Sequence, residues 1–360
     1  MRTPVTLFFG VFVVMALSNA IVPVLPSYGD ASTLHGIIYS AYFLGAFIST
    51  LPGGILADRF DRMTLMKSGL ALTVICGLLL STILAPGPVI VLRFIEGLGA
   101  GLFVAAAMSC VNSRADHARM SGYFMALLNA GLVLGLVCSG WLSMAFRYPM
   151  AGIFVFTALA VIPAAVSFFL RDPGRPGTPF DAGFLFNVVR DYRWLWFSSV
   201  VIVGITGVAI SLYPKFSGLG SDIVGIWIAG MSVATIMTVL IIARFPFPPV
   251  KTIRWASVFM AIGAVVSFYT PLGLVIIGAA AGVVMIAQMV FLADFRKHQG
   301  IVMGLFSTTS YLGMALLPAL AGLVADAAGF FIAFSAAAAA AVVVAVTIGC
   351  CSSCMMKTDD

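Results

Sequence analysis

The chain is poor in charge. Of its 360 residues, nineteen are Lys or Arg and thirteen are Asp or Glu, 9% in all, where a soluble domain carries roughly a quarter. So few charged side chains cannot cover a soluble globule. This excludes a soluble enzyme, a disordered chain and, despite a net charge of +6, a nucleic-acid-binding domain. Glu96 is the only glutamate, and His35, His117 and His298 are the only histidines. These leave no metal-ligand cluster and no Ser/His/Asp set, so neither an enzyme nor a cofactor site is expected. A Gly-x-x-x-x-Gly-Lys-Ser/Thr loop is also missing, and no polar stretch is long enough to form a nucleotide-hydrolysing domain. Any energy the protein uses must come from a solute or ion gradient.

Cysteine is scarce too, with six residues. Cys76, Cys110 and Cys138 lie in apolar runs, where they pack as small hydrophobes. Cys350, Cys351 and Cys354 cluster at the end of the chain, and a Cys-x-x-Cys ending there leaves metal binding or acylation open.

What the chain has in quantity is apolar length, since 62% of it is hydrophobic. A membrane-spanning helix needs about 20 largely apolar residues. That ruler gives twelve spans, near 5–27, 34–57, 64–85, 88–112, 119–144, 149–170, 193–214, 222–243, 253–270, 272–293, 300–325 and 328–349. The first has no small-residue cleavage site and is followed by eleven similar runs, so it reads as a span and not as a signal peptide.

Basic residues orient the spans. Alternate loops and both tails hold sixteen Lys and Arg, from Arg2, Arg59 and Arg62 through Arg190 and Arg193 to Lys357, whereas the other loops hold only Arg147 and Lys215. The positive-inside rule then puts both termini in the cytoplasm, and the membrane expected is the plasma membrane. The one long polar stretch, 171–192, contains Pro173, Gly174, Pro176, Gly177 and Pro179 and reads as a cytoplasmic linker between a first half, 1–170, and a second, 193–360. Within the polar region, Phe184–Val189 is apolar enough to lie along the membrane surface.

A shift of 182 residues superposes Arg114 on Arg296, Gly122 on Gly304, Gly131 on Gly313, Leu134 on Leu316 and Gly140 on Gly322. These matches fall on the fifth and eleventh spans and the loops before them. The fold class expected is therefore an all-α membrane protein with twelve transmembrane helices in two pseudo-symmetric six-helix bundles. Repeats of this kind place a ligand site between the halves near the midplane.

The most distinctive segment is Gly54-Ile55-Leu56-Ala57-Asp58-Arg59-Phe60-Asp61-Arg62, where the second span enters a basic loop. Gly54 permits close helix approach, Asp58 suits a neighbouring helix N-terminus, and Arg59 and Arg62 can reach carboxylates or lipid phosphate. These four residues form a candidate conformational latch. The segment resembles the signature loop of the major facilitator superfamily, G-x-L-a-D-R-x-G-R, with Asp61 replacing the usual glycine. Leu92 to Gly101, with Arg93, Glu96, Gly97 and Gly99, resembles that family's fourth-helix motif R-x-x-Q-G-x-G. On the fifth span, Gly131, Gly135 and Gly140 partly match the antiporter motif of drug:proton exporters, G-x-x-x-G-P-x-x-G-G, with Leu136 in place of the proline and Ser139 in place of a glycine. Small residues at that spacing also suit any tightly packed helix pair. The second half's counterpart to the signature loop, Ala243 to Lys251, has no aspartate, so any charged latch is expected to be asymmetric.

Arg93 lies about five residues into its span, roughly 7–8 Å along the helix axis, and Glu96 shares its face. A charge at that depth faces the protein interior. Two roles stay open for the pair: Glu96 exchanges a proton during transport, or Arg93 and Glu96 form a fixed brace of helix four against helix one near Asn19. The first span also carries Pro23 and Pro26, which can kink its outer end into a gate. Asn19, Tyr42, Asn129, Gln288 and Tyr311 are the chosen candidates for lining a largely apolar central cavity.

The resemblance implies a secondary active transporter working by alternating access. Its expected task is proton-coupled efflux of an amphipathic or hydrophobic small molecule. The alternatives are a symporter or facilitator for a small neutral or anionic metabolite, and a membrane receptor or assembly partner that does not transport. The partners expected are a small-molecule substrate, protons and membrane lipids, with no nucleic acid, and the chain is expected to be a monomer.

Overall fold

In hydrocarbon, every backbone N–H and C=O must find its partner inside the segment, and the apolar runs therefore fold as helices. The computed structural model describes residues 2–59, 61–112, 117–169, 182–242, 245, 247–293 and 299–350. Its helices are α1 (Arg2–Ala20), α2 (Ser32–Arg59), α3 (Arg62–Leu80), α4 (Pro86–Asn112), α5 (His117–Ala145), α6 (Ala151–Ser167), α7 (Ala182–Asp191), α8 (Arg193–Ser217), α9 (Ser221–Ile242), α10 (Pro249–Tyr269), α11 (Leu272–Ala293), α12 (Gln299–Ala328) and α13 (Phe330–Thr347). Eleven of the described helices are long and apolar enough to cross a bilayer, and α6 is a shorter apolar one. Together they account for the twelve expected spans. The short α7 covers the linker's apolar stretch.

The prolines of the first span do not kink a continuous α-helix. α1 ends at Ala20, and Val22–Tyr28 winds on as a 3₁₀ helix with Pro26 inside it. Pro23 and Pro26 lack the N–H that an α-helical ladder needs, and the chain tightens where those donors are missing.

The chain forms two compact units. The first comprises Met1–Asp30, Ala41–Phe180 and Ser217–Ala229; the second comprises Ala31–Ser40, Asp181–Phe216 and Gly230–Asp360. In the first, α1 packs along α5 and α6, and α3 packs along α4 and α6. In the second, α10 packs along α11 and α13, and α12 along α13. The start of α2 belongs to the second unit and the start of α9 to the first, so each of these helices is divided along its length. α1 and α8 are the most enclosed of the spanning helices. Others turn large apolar side chains outward, among them Trp141, Phe154, Trp255, Phe259 and Val346, as lipid-facing helices do.

Candidate functional site

The first unit is built around a buried ion pair. On α4, the Arg93 Nη1 donates to Glu96 Oε2 at 2.7 Å. Arg93 is 1% exposed and Glu96 is fully buried. The second Arg93 amino group, Nη2, donates to the Ser18 carbonyl of α1 at 3.0 Å, where the start of the 3₁₀ segment leaves helical carbonyls without their usual donors. The guanidinium also lies over the Tyr42 ring, 4.5 Å from its centroid. One arginine thus joins α4, α1 and α2. Glu96 Oε1 and Arg93 Nε have no hydrogen-bond partner among the described residues. The pair ties helix four to helix one, a geometry that fits either of the two sequence alternatives, and it leaves one carboxylate oxygen without a partner among the described residues.

Asn19 sits one residue beyond the carbonyl that Arg93 engages. Its own amide donates to the Leu132 carbonyl of α5 at 3.3 Å. Tyr42 is buried under the guanidinium. Its backbone and that of Gly97 are so close that a Cβ on Gly97 would overlap the Tyr42 carbonyl oxygen. The fourth-helix motif is therefore a packing code as well as a charge carrier: Gly97 brings α2 in, and Gly99 brings in α3 at Gly69.

The second unit carries a neutral cluster. Gln288 of α11 donates to Ser198 Oγ of α8 at 2.8 Å. Ser199 of α8 meets Thr309 at 3.3 Å and Ser310 at 3.4 Å on α12. Tyr311 is half-buried on α12, and Asn129 is half-buried on α5 in the first unit. Asn19 and Tyr42 thus gather at the ion pair, while Gln288 belongs to a separate hydroxyl-rich cluster.

At the signature loop, Asp58 and Arg59 lie outside the residues whose side chains the structure describes, as does Arg114. Arg244 and residues 351–360, with Cys351 and Cys354, lie outside the described residues altogether. Arg62 is buried and donates through Nε to the Ala57 carbonyl at 3.2 Å and through Nη1 to Ser109 of α4 at 3.5 Å. It ties the ends of α2 and α4 to α3. Among the described residues a Cβ built on Gly54 meets nothing within 4 Å, whereas one on Gly53 would touch Leu102 at 3.3 Å. Asp61, the departure from the family pattern, caps α3. It accepts from the Met63 and Thr64 amides at 3.2 and 3.1 Å and from the Thr64 hydroxyl at 2.7 Å. The Thr64 hydroxyl, together with those two amides, holds the Asp61 carboxyl below its usual range.

The glycines of α5 pack it against two helices. Gly131 and Gly135 leave room for the Phe12 and Ala16 carbonyls of α1, and Gly140 for the Ser221 carbonyl at the start of α9. Ser139 donates to the Ala20 carbonyl. The repeat partners do the same in the second unit. Gly313 of α12 takes the Val200 carbonyl of α8, and Gly322 takes the Ser32 carbonyl at the start of α2. The repeat detected in the sequence is therefore realised as equivalent helix crossings. Beside Gly304 a Cβ would meet nothing within 4 Å among the described residues.

One residue escaped the sequence reading. Asp326, near the end of α12, accepts from the Ser32 and Thr33 amides at 2.8 and 2.7 Å and lies 3.8 Å from Lys215 Nζ. The signal available was a lone aspartate at the end of an otherwise apolar run, on the side whose loops hold only two basic residues.

Comparison with known proteins agrees with this architecture. A family model described as Major Facilitator Superfamily matches residues 7–318. Multidrug resistance protein 2 of Bacillus subtilis is 22% identical over 362 aligned residues, covering 89% of this chain and 88% of that protein. Quinolone resistance protein NorA of Staphylococcus aureus is 26% identical over 180 residues, 48% of this chain and 46% of NorA, so that match spans about half of the relative. Among solved structures, nucleoside transporter NupG superposes with a TM-score of 0.76 at 14% identity, covering 98% of this chain and 99% of the other. A D-xylose-proton symporter does so with a TM-score of 0.77 at 14% identity, covering 96% of each chain. At such identities the structures attest the fold alone. A multi-pass membrane chain whose length is mostly covered by the family model, and which adopts the same twelve-helix fold, belongs to the Major Facilitator Superfamily and is a transporter.

Proposed function

We propose that this transporter exports an amphipathic or hydrophobic small molecule in exchange for protons, with Glu96 as the proton carrier. The reading rests on the two halves 1–170 and 193–360 acting as bundles that rock about a central site, joined by the linker 171–192. Both termini face the cytoplasm, and the protein works as a monomer in the plasma membrane. The observation that carries the reading is the ion pair with a spare oxygen. Among the described residues Glu96 accepts Arg93 through Oε2, and its buried Oε1 has no partner. A proton added to Oε1 leaves the Arg93 hydrogen bond geometrically intact but removes the negative charge that balances the guanidinium. Arg93 then retains the Ser18 carbonyl and the Tyr42 ring, so protonation redistributes its attachments among α4, α1 and α2. The curated relatives are named for multidrug and quinolone resistance, which favours efflux over uptake. The sparsely charged candidate residues Asn19, Tyr42, Asn129, Gln288 and Tyr311 suit a greasy solute with few polar groups.

The test is transport in vesicles with and without an imposed pH gradient. Glu96→Gln is expected to keep substrate exchange at equal pH and to lose the acceleration by the gradient. Gradient-driven transport at the unsubstituted rate in that variant would remove Glu96 as carrier. Substrate exchange without any response to pH in the unsubstituted protein would favour a facilitator.

A further inference from the structure

Helix α2 begins without a cap of its own. The residue before Ser32 is Ala31, whose side chain cannot accept a hydrogen bond, although its carbonyl already accepts the Leu34 and His35 amides at 3.1 and 3.3 Å. An N-cap is normally Ser, Thr, Asp or Asn, and the first amides of a helix otherwise stay orphaned. Here the orphans are the Ser32 and Thr33 amides, and both are taken by the two oxygens of one carboxylate, Asp326 of α12. A neighbouring helix, nearly three hundred residues away in sequence, supplies what the chain omitted locally.

The seam around this contact is tight. Gly36 would overlap the Pro318 carbonyl if it carried a Cβ, and Gly322 would meet the Ser32 carbonyl. Ser40 Oγ accepts the Ala319 amide at 3.1 Å, one residue after the proline inside α12. Lys215 of α8 stands behind the carboxylate at 3.8 Å, with its ammonium 5.9 Å from the Phe330 ring.

We infer that Asp326 is a positioning residue of the transport cycle: its carboxylate is a detachable cap that holds the start of α2 against α12, and the mouth on that side opens only when the Ser32 and Thr33 amides are surrendered. The inference rests on the alternating-access reading above, since the start of α2 and the end of α12 come from opposite halves of the sequence. Lys215 and Asp326 come from the same half, so the ion pair travels with the carboxylate and keeps it from being stranded when the amides leave. The device lies at the end of α2 opposite the signature loop. It is built differently from that loop, because here the charge sits on the partner helix and not on α2.

The test uses the full chain with its native cysteines replaced and a single Ser40→Cys reporter at the seam. The rate of alkylation by a membrane-impermeant maleimide is followed in intact cells and, in parallel, in inside-out vesicles. Asp326→Asn is expected to accelerate labelling about fivefold, the factor that loss of one helix cap implies. Ala31→Ser gives α2 its own cap at an exposed position and favours folding. It too is expected to speed labelling, because the closed seam then gains less from Asp326. Labelling of Asp326→Asn at the unsubstituted rate overturns the inference. Faster labelling in Asp326→Asn without any change in Ala31→Ser also overturns the cap, leaving Lys215 as the partner that matters. If Asp326→Asn does not reach the membrane, the Ala31→Ser result decides. Neither measurement uses a drug or a pH gradient, so an altered labelling rate alongside unaltered gradient response in Glu96→Gln would sink the proton-carrier reading and leave this one standing.

Discussion

The two units solve the same packing problem with different polar centres. In the first, α4 and α1 meet through a buried arginine and the chain's only glutamate. In the second, α11 and α8 meet through one glutamine and one serine, Gln288 and Ser198. The glycine crossings are nonetheless equivalent: Gly131 on α1 and Gly313 on α8, Gly140 on α9 and Gly322 on α2. The scaffold is thus duplicated and the charge is not. Buried charges are costly, and an ion pair replaced by well-packed apolar residues is often no less stable. The neutral cluster of the second unit demonstrates that the crossing itself needs no ions, which is why a functional role for the pair in the first unit is the economical reading.

The sharpest way to break this comparison is to strand one charge. Arg93→Met leaves Glu96 buried without a counter-ion and is expected to cost roughly 3–5 kcal/mol, read as a large loss of folded protein in a thermal-denaturation assay. The double variant Arg93→Met/Glu96→Met should recover most of that stability while losing transport. If it remains as unstable as the single variant, the pair is structural after all. Next in size come the crossings. Gly131→Val and Gly313→Val each push a side chain into a facing carbonyl and should lose about 1–3 kcal/mol; a much milder effect at one site would mean the duplication is not energetically symmetric. Gln288→Leu removes a single neutral hydrogen bond, expected to matter by only about 0.6 kcal/mol within a membrane bundle, so its melting temperature should move far less than that of Arg93→Met.

The smallest effect is at the basic loop. Asp61→Ala should cost roughly 1 kcal/mol of helix stability. Because the folded Asp61 carboxyl is held below its usual range, chiefly by the Thr64 hydroxyl, its contribution is complete above that usual range and is lost as pH falls through the folded value. Unfolding midpoints of the variant and the unsubstituted chain should therefore converge only in strongly acidic buffer, a difference that a pH series of denaturation curves would detect.

Much of this was legible in the sequence because hydrocarbon imposes few solutions. Twelve apolar runs, a glycine repeat and one deep Arg–Glu pair at helical spacing point to the fold and to the first unit's centre without reference to distant contacts. What escaped depends on partners remote in the chain. Nothing near Ala31 announces that its missing cap is supplied by Asp326, and nothing near Gly54 announces that, among the described residues, its face is open while Gly53 takes the contact. Asp61 was visible as a departure from a motif, but its reason lies in local hydrogen-bond geometry. The change from α to 3₁₀ winding after Ala20 was heralded only by prolines that could equally have produced a bend.

The helices are also markedly unequal in length. α12 has 30 residues and α6 has 17, about 45 Å against about 26 Å at the usual rise per residue, while the oily interior of a bilayer is about 30 Å thick. The long one has to slant or protrude and the short one draws the surrounding leaflets inward, each at a modest cost per ångström. A carrier assembled from both is never matched everywhere by any single membrane, and the thickness of the lipid around it becomes a parameter of its working cycle.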